Sequence, residues 1–254
     1  MNRVSAPDGT PLVYDAYEPS SPRAAVLCLP DWTDRPNQWS ATGSRLSDAG
    51  FATYILDQRG HGRSGGRRGH LSRFSQLLGD LQAVRRAVRR RHDVPQAIWG
   101  HGFGGLIALR YLETQPGEPP TAAIVSNPSL AFRHRPATWK RWAARLADVW
   151  PTFPTGSGQE PMTAGARAEL EWAQRAVVAD CDRIERPLLF ILSGGDEVVD
   201  TTLARRFAQG LGELARVQWY PDLSHDSPSA ESVLPHVTRF LSAPHSSDPD
   251  PKSD

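Results

Sequence analysis

The order of apolar runs predicts an α/β fold, with a mostly parallel central sheet covered by helices on both faces. Three observations carry this prediction. Short apolar runs bounded by turn residues, such as Ala24-Ala25-Val26-Leu27-Cys28-Leu29, suit strands buried on both sides. Amphipathic stretches of helical period alternate with these runs, and such alternation calls for crossover connections and two helical layers. A chain of 254 residues is long enough for one large domain with a sizeable core.

The elements follow in order. Residues 6–10, Ala-Pro-Asp-Gly-Thr, form the turn of a hairpin at the start. After strand 24–29, a helix over 39–49 ends at Gly50, a fitting C-cap. Strand 51–56 leads into a Gly- and Arg-rich loop over 57–70, then a helix over 74–91. Strand 97–99, a sharp turn and a helix over 105–114 follow, and strand 122–125 comes next. Residues 132–183 break the alternation. They hold Trp139, Trp142, Trp150 and Trp172 and a Pro/Gly-rich stretch over 151–161, and read as a helical cap whose tryptophans form core and pocket wall. Strand 187–192, a helix over 201–211, strand 217–220 and a helix over 229–241 complete the core. Residues 1–131 and 184–242 are thus the two parts of the core, 132–183 the cap insertion, and 243–254 a Ser/Pro/Asp-rich tail expected to be disordered.

Composition narrows the function. A net charge of +1 gives no global pull toward nucleic acid or an anionic membrane. No apolar run reaches the length of a membrane span, so stable membrane insertion is not expected. The run Arg85-Arg86-Ala87-Val88-Arg89-Arg90-Arg91 reads as the solvated face of an amphipathic helix, the other reading being a patch for an acidic partner. Cys28 and Cys181 read as free thiols with no metal-ligand spacing, and the first residues lack the apolar centre of a leader peptide. A cytoplasmic protein without metal or cofactor is the resulting expectation. Oligomeric state leaves no mark in the sequence.

Four blocks carry chemistry. Asp57-Gln58-Arg59-Gly60-His61-Gly62-Arg63-Ser64 with Arg68-Gly69-His70 is the first. Gly100-His101-Gly102-Phe103-Gly104-Gly105 and its following helix are the second. Residues 187–200, with Asp196, and residues 220–225, with His225, are the third and fourth. Taken together and in this order, they resemble the monoacylglycerol lipase/lysophospholipase branch of the α/β-hydrolases, over about 200 residues. The resemblance implies an α/β-hydrolase fold, with Asp196 as the acid and His225 as the base of a catalytic triad. It places Gly102 where the family carries its nucleophilic serine. Glycine offers no nucleophile, though it tolerates the strained backbone of such a turn. The resemblance also puts Pro30-Asp31 where the family has His-Gly. Proline lacks an N–H, and an ionised Asp31 places negative charge where an oxyanion would form. These read as two independent departures from acyl-transfer chemistry.

Asp196, His225 and Asp31 are therefore the candidate catalytic residues. Gly102, Phe103, Trp32 and His101 are the candidate substrate-binding residues, with the Trp32 and Phe103 amides able to point inward. Asp31 has two readings: an acid/base group facing His225, or a loop aspartate that caps a turn or pairs with Arg35. Asp196 as a helix cap and His225 as a surface loop residue are the corresponding plain readings. Cys28, Ser64 and Ser224 are the candidates for a relocated nucleophile, and none stands on an elbow. His61 and His70 read as loop-fixing residues. Three functions follow. One is a serine-less enzyme in which His225 acts as base in proton-transfer chemistry of epimerase, lyase or cyclase type, as in natural-product tailoring, an analogy at fold level. The second is a non-catalytic receptor for a small apolar or peptidic ligand. The third is a weak esterase that uses activated water.

Overall fold

The computed structural model describes residues 2–34, 36–114, 119–133, 162–226 and 231–243. Eight strands form one sheet: β1 (Asn2–Ser5), β2 (Pro11–Tyr17), β3 (Ala24–Leu29), β4 (Phe51–Asp57), β5 (Gln96–His101), β6 (Ala122–Ser126), β7 (Leu188–Ser193) and β8 (Ala215–Tyr220). Their order across the sheet is β1-β2-β4-β3-β5-β6-β7-β8. The β1–β2 and β2–β4 pairs are antiparallel, and every pairing from β4 to β8 is parallel.

Side chains alternate across the central strands, as pleating requires. In β3, Ala25, Leu27 and Leu29 join one core while Val26 and Cys28 join the other. The first core is covered by α2 (Phe74–Arg91), α3 (Phe103–Thr114), α4 (Ala164–Ala179) and α5 (Thr201–Gly210). The second is covered by α1 (Ser40–Asp48) and α6 (Leu234–Ser242).

Several expectations change at this level. α3 begins at Phe103, two residues earlier than expected, because the turn at Gly102 enters the helix directly. α6 begins at Leu234; the expected start at 229 lies outside the described residues. Of the expected cap, 134–161 lie outside the described residues, with Trp139, Trp142 and Trp150 among them. Its last part is α4, whose Ala166, Leu170, Ala173 and Val177 pack in the first core. Trp172, on the same helix, is 45% exposed rather than buried as wall, and lies under the Arg110 guanidinium at 5.3 Å. Arg85 is not on a solvated face. It is buried, bonding Gln96 on β5 and the Tyr111 hydroxyl on α3. Arg86, Arg89, Arg90 and Arg91 are exposed.

The loop after β4 is held by charge. The Arg59 guanidinium bonds Asp80 at 2.5 and 2.6 Å and Asp8 at 2.8 Å, tying the loop to α2 and to the first hairpin. Arg63 bonds Asp57 and Asp15. Gly62 has φ +50°, and a Cβ there would lie 2.6 Å from Asp57 Oδ2, so the turn admits no side chain. The result is a rigid C-terminal edge of the parallel sheet. Asp31, Gly102, Asn127, Asp196 and His225 all lie on it, where open α/β sheets bind ligands.

Candidate active site

Asp196 follows β7 on a loop of fixed shape. Its Oδ1 accepts the Val198 and Val199 amides, each at 2.8 Å, and Arg133 donates to its carbonyl oxygen at 2.7 Å. Oδ2 is left for His225, whose Nδ1 lies 2.6 Å away. Asn127, at the end of β6, has φ 41° and clamps the same edge. Its side chain accepts the Ser193 amide and donates to the Ser193 hydroxyl, each at 2.9 Å, and reaches the His225 carbonyl at 3.5 Å. Sequence reasoning passed over Asn127. The available signal was an asparagine at a strand end, a residue type that tolerates the left-handed region.

The turn between β5 and α3 is a tight elbow. Gly102 has φ +52°, its amide donates to Ser126, and its carbonyl accepts from Leu106 and Ser129. The Asp31 side chain fills the space above it. A Cβ added at 102 would overlap Asp31 Oδ1 and Cγ and lie 2.9 Å from Asp31 Cβ. The Phe103 amide, which in an acyl-transfer site of this shape faces the oxyanion, donates instead to Asp31 Oδ1 at 2.5 Å. The departures at 31 and 102 are therefore not independent. They are one steric arrangement, since the carboxylate and a side chain at 102 need the same volume.

Asp31 is itself well held. Its amide donates to Asp34 Oδ2 at 2.9 Å, which also accepts the Trp39 indole N–H at 3.0 Å. The Gln58 side chain bonds the Pro30 carbonyl at 2.5 Å. Asp34 and Gln58 are further positioning residues that sequence reasoning did not single out. Arg35, the alternative partner of Asp31, lies outside the described residues. Thr33 donates to Asp31 Oδ2 at 3.4 Å, and His225 Nε2 faces that same oxygen at 3.7 Å, within ion-pair range. The Asp31 side chain is only 11% exposed.

His225 thus stands between two carboxylates. Burial works to lower its pKa, but the bond to Asp196 and the attraction of the Asp31 carboxylate outweigh burial and raise it to about 10. Burial likewise works to raise the Asp31 carboxyl, and His225 with the Phe103 N–H outweighs that and holds it at about 2. Both shifts favour the charged forms, an imidazolium facing a carboxylate. Burial pushes His101 down, and its ring lies 4.9 Å from that of His225. His101 Nδ1 meets the Ser126 carbonyl at 3.1 Å, which fixes the proton on that nitrogen in the neutral ring.

Trp32 and Phe103 are placed beside the pair rather than facing it openly. Trp32 is buried, its ring edge-on to His61 at 4.4 Å and to Phe103 at 5.1 Å. Phe103 packs also on Phe74 at 5.9 Å. His61 Nδ1 meets the Arg59 carbonyl and His70 Nδ1 the Thr163 hydroxyl, so both hold loops. Cys28 lies in the second core, where burial pushes its thiol far up, and the Ser64 hydroxyl spans the Asp57 carbonyl and the Val13 amide. Among the described residues, no cluster of His, Cys, Asp and Glu could hold a metal ion, and no helix is long and apolar enough to cross a membrane.

Comparison with known proteins agrees with this architecture. A monoacylglycerol lipase of Mycolicibacterium smegmatis is 33% identical over 124 residues, 48% of this chain and 44% of that protein. A monoglyceride lipase of Mus musculus is 25% identical over 167 residues, 65% of this chain and 55% of that protein. The chain thus aligns to about half the length of these relatives. The crystal structure of Paleococcus ferrophilus monoacylglycerol lipase superposes with a TM-score of 0.77 at 19% identity, covering 91% of this chain and 96% of that one. The family described as serine aminopeptidase, S33 (Hydrolase_4) matches residues 20–164, from just before β3 through the elbow to the start of α4. With more than half of its length matched by that model, and with the α/β-hydrolase fold, the chain belongs to this hydrolase family.

Proposed function

We propose that this chain is an enzyme that works without a serine nucleophile, with the Asp31 carboxylate and the His225 imidazolium as its reacting pair and Asp196 orienting the imidazole. The observation that supports this is the position of Asp31: it fills the space above Gly102, one oxygen on the Phe103 amide and the other facing His225 Nε2. A base and an acid side by side suit proton transfer on a small apolar substrate bearing a carbonyl. Asp31 takes a proton from the carbon next to the carbonyl while His225 gives one to the carbonyl oxygen, so an enol forms without a free charge. Epimerisation, elimination or cyclisation can proceed from that enol with no cofactor.

Exchange of the α-hydrogens of phenylacetone in D2O, followed by NMR, tests the reading. The native protein is expected to catalyse exchange, and Asp31→Asn and His225→Gln to lose it by about 100-fold or more. Equal rates in all three proteins would overturn it, as would labelling of the native protein by a fluorophosphonate. A second reading, slow ester hydrolysis by activated water, draws support from the lipase names of the relatives. It predicts that Asp31→Gly raises hydrolysis of p-nitrophenyl butyrate by freeing the Phe103 amide, and that His225→Gln abolishes it.

A further inference from the structure

We propose that Asp31 is also a covalent nucleophile, whose Oδ2 opens a small apolar epoxide to give an ester on the enzyme that water then cleaves to a diol. The inference rests on the Asp31–His225 pairing described above and adds a bond to carbon. Three features of the geometry point to it. The carboxylate occupies the place over the elbow that a nucleophile at 102 would take. Its two oxygens have different surroundings, Oδ1 held by the Phe103 amide at 2.5 Å and Oδ2 turned toward His225 at 3.7 Å. His225 Nε2 is buried and faces Oδ2 across 3.7 Å, longer than a hydrogen bond, so an oxygen entering between them can take its proton.

The steps balance. Oδ2 bonds to a ring carbon of the epoxide, the carbon–oxygen bond breaks, and its electron pair stays on the ring oxygen. That oxygen takes the Nε2 proton of His225, leaving a hydroxyalkyl ester on Asp31 and a neutral imidazole. The imidazole now takes a proton from water as the water oxygen attacks Asp31 Cγ. Negative charge develops on Oδ1, where the Phe103 N–H already sits, so the amide serves as oxyanion donor for the enzyme's own ester. When the Cγ–Oδ2 bond breaks, the departing alkoxide takes the proton of the carboxylic acid formed. The diol leaves, and the carboxylate and imidazolium are restored.

The same geometry sorts the electrophiles. Attack on an acyl carbon would create an oxyanion on the substrate, and the Phe103 amide is already taken. Attack on a saturated carbon creates none. Among saturated electrophiles, an alkyl halide departs without consuming the His225 proton, so no base forms and the ester stalls. An epoxide oxygen consumes that proton and starts the second half. Trp32 and Phe103, which directly follow Asp31 and Gly102, make the surroundings apolar.

The test uses the full chain, in excess over styrene oxide, in H2(18)O. The expected result is a first-turnover diol without label and one labelled oxygen in the Asp31-containing peptide, read by mass spectrometry. Labelled diol with an unlabelled peptide overturns the nucleophile, since water then attacks the epoxide directly, and leaves Asp31 as a base. In parallel, 2-phenylethyl bromide is expected to add one phenylethyl group to that peptide in the native protein and none in Asp31→Asn. If neither diol nor adduct forms, the proposal fails, and phenylacetone exchange in the same preparation judges the acid–base reading separately.

Discussion

Glycine at 102 and aspartate at 31 hold each other in place. Gly102→Ser alone puts a Cβ into the Asp31 carboxylate and a side chain at φ +52°, a backbone region that costs about 1–3 kcal/mol at such sites. The single variant is expected to melt several degrees lower and to stay inactive on p-nitrophenyl butyrate. Gly102→Ser combined with Asp31→Gly is expected to gain that activity, because the volume and the Phe103 amide are both freed. Side-by-side ester assays and thermal melts of the two proteins check this. His225 carries a second prediction. It lies 5% exposed between two carboxylates, so His225→Ala leaves them buried without a cation and is expected to cost about 3–5 kcal/mol at neutral pH. The pH dependence follows from the signs. His225 is raised from 6.5 to about 10, so its stabilisation is complete below pH 6.5 and lost as pH rises through about 10. Asp31 is lowered from 3.8 to about 2, so its part is complete above pH 3.8 and lost as pH falls through about 2. Urea midpoints of the native protein should decline between pH 6.5 and 10, and those of His225→Gln should not show that component. Asp196, His225 and Gly102 were legible in the sequence because each stands at a fixed place in a motif. The tie between Asp31 and Gly102 was not, because it is a contact between loops some 70 residues apart in the chain.

The loops that carry these residues are set by the elements beneath them. β3, β5, β6, β7 and β8 were legible as short apolar runs, and their C-terminal ends fix where each loop starts. What escaped was the cross-linking at that edge. Asn127→Ala removes two bonds to Ser193 and the contact to the His225 carbonyl. It is expected to cost about 1–3 kcal/mol and to broaden the His225 NMR signals as the Asp196 loop loosens. A second element-scale prediction concerns α3 and α4. Arg110, on α3, bonds Glu113 at 2.8 Å and Asp180, just after α4, at 2.6 Å. Burial raises Glu113 to about 7 against the opposing pull of Arg110. In Arg110→Met, Glu113 loses its cation. The destabilisation should be larger at pH 8 than at pH 5, where the carboxyl is protonated, and denaturant unfolding at the two values decides it.

At the scale of the whole molecule, two cores share one sheet, and each central strand contributes to both. α1 and α6 cover the second core, with Phe240 buried to 4% and Val237 fully buried. Phe240→Ala is expected to cost about 3–5 kcal/mol although it lies on the face opposite the elbow helix, and chemical unfolding should show one transition for both faces. The doubly covered α/β plan was legible because strand and helix periods alternate cleanly through 24–125 and again through 187–241. The region between was less so. Its last helix, α4, is amphipathic and belongs to the main core, and its Trp172 faces outward, which aromatic content alone could not tell.

The shared volume at 31 and 102 has a further consequence for sequence change. Serine-based chemistry and the carboxylate arrangement cannot coexist, and neither can be reached from the other by one substitution. Of the two one-step intermediates, the one with glycine at both positions has no reacting group above the elbow, and the one with serine at 102 and aspartate at 31 carries the overlap. The two sites are epistatic, so a library that varies position 102 alone will return no esterase, however deeply it is sampled.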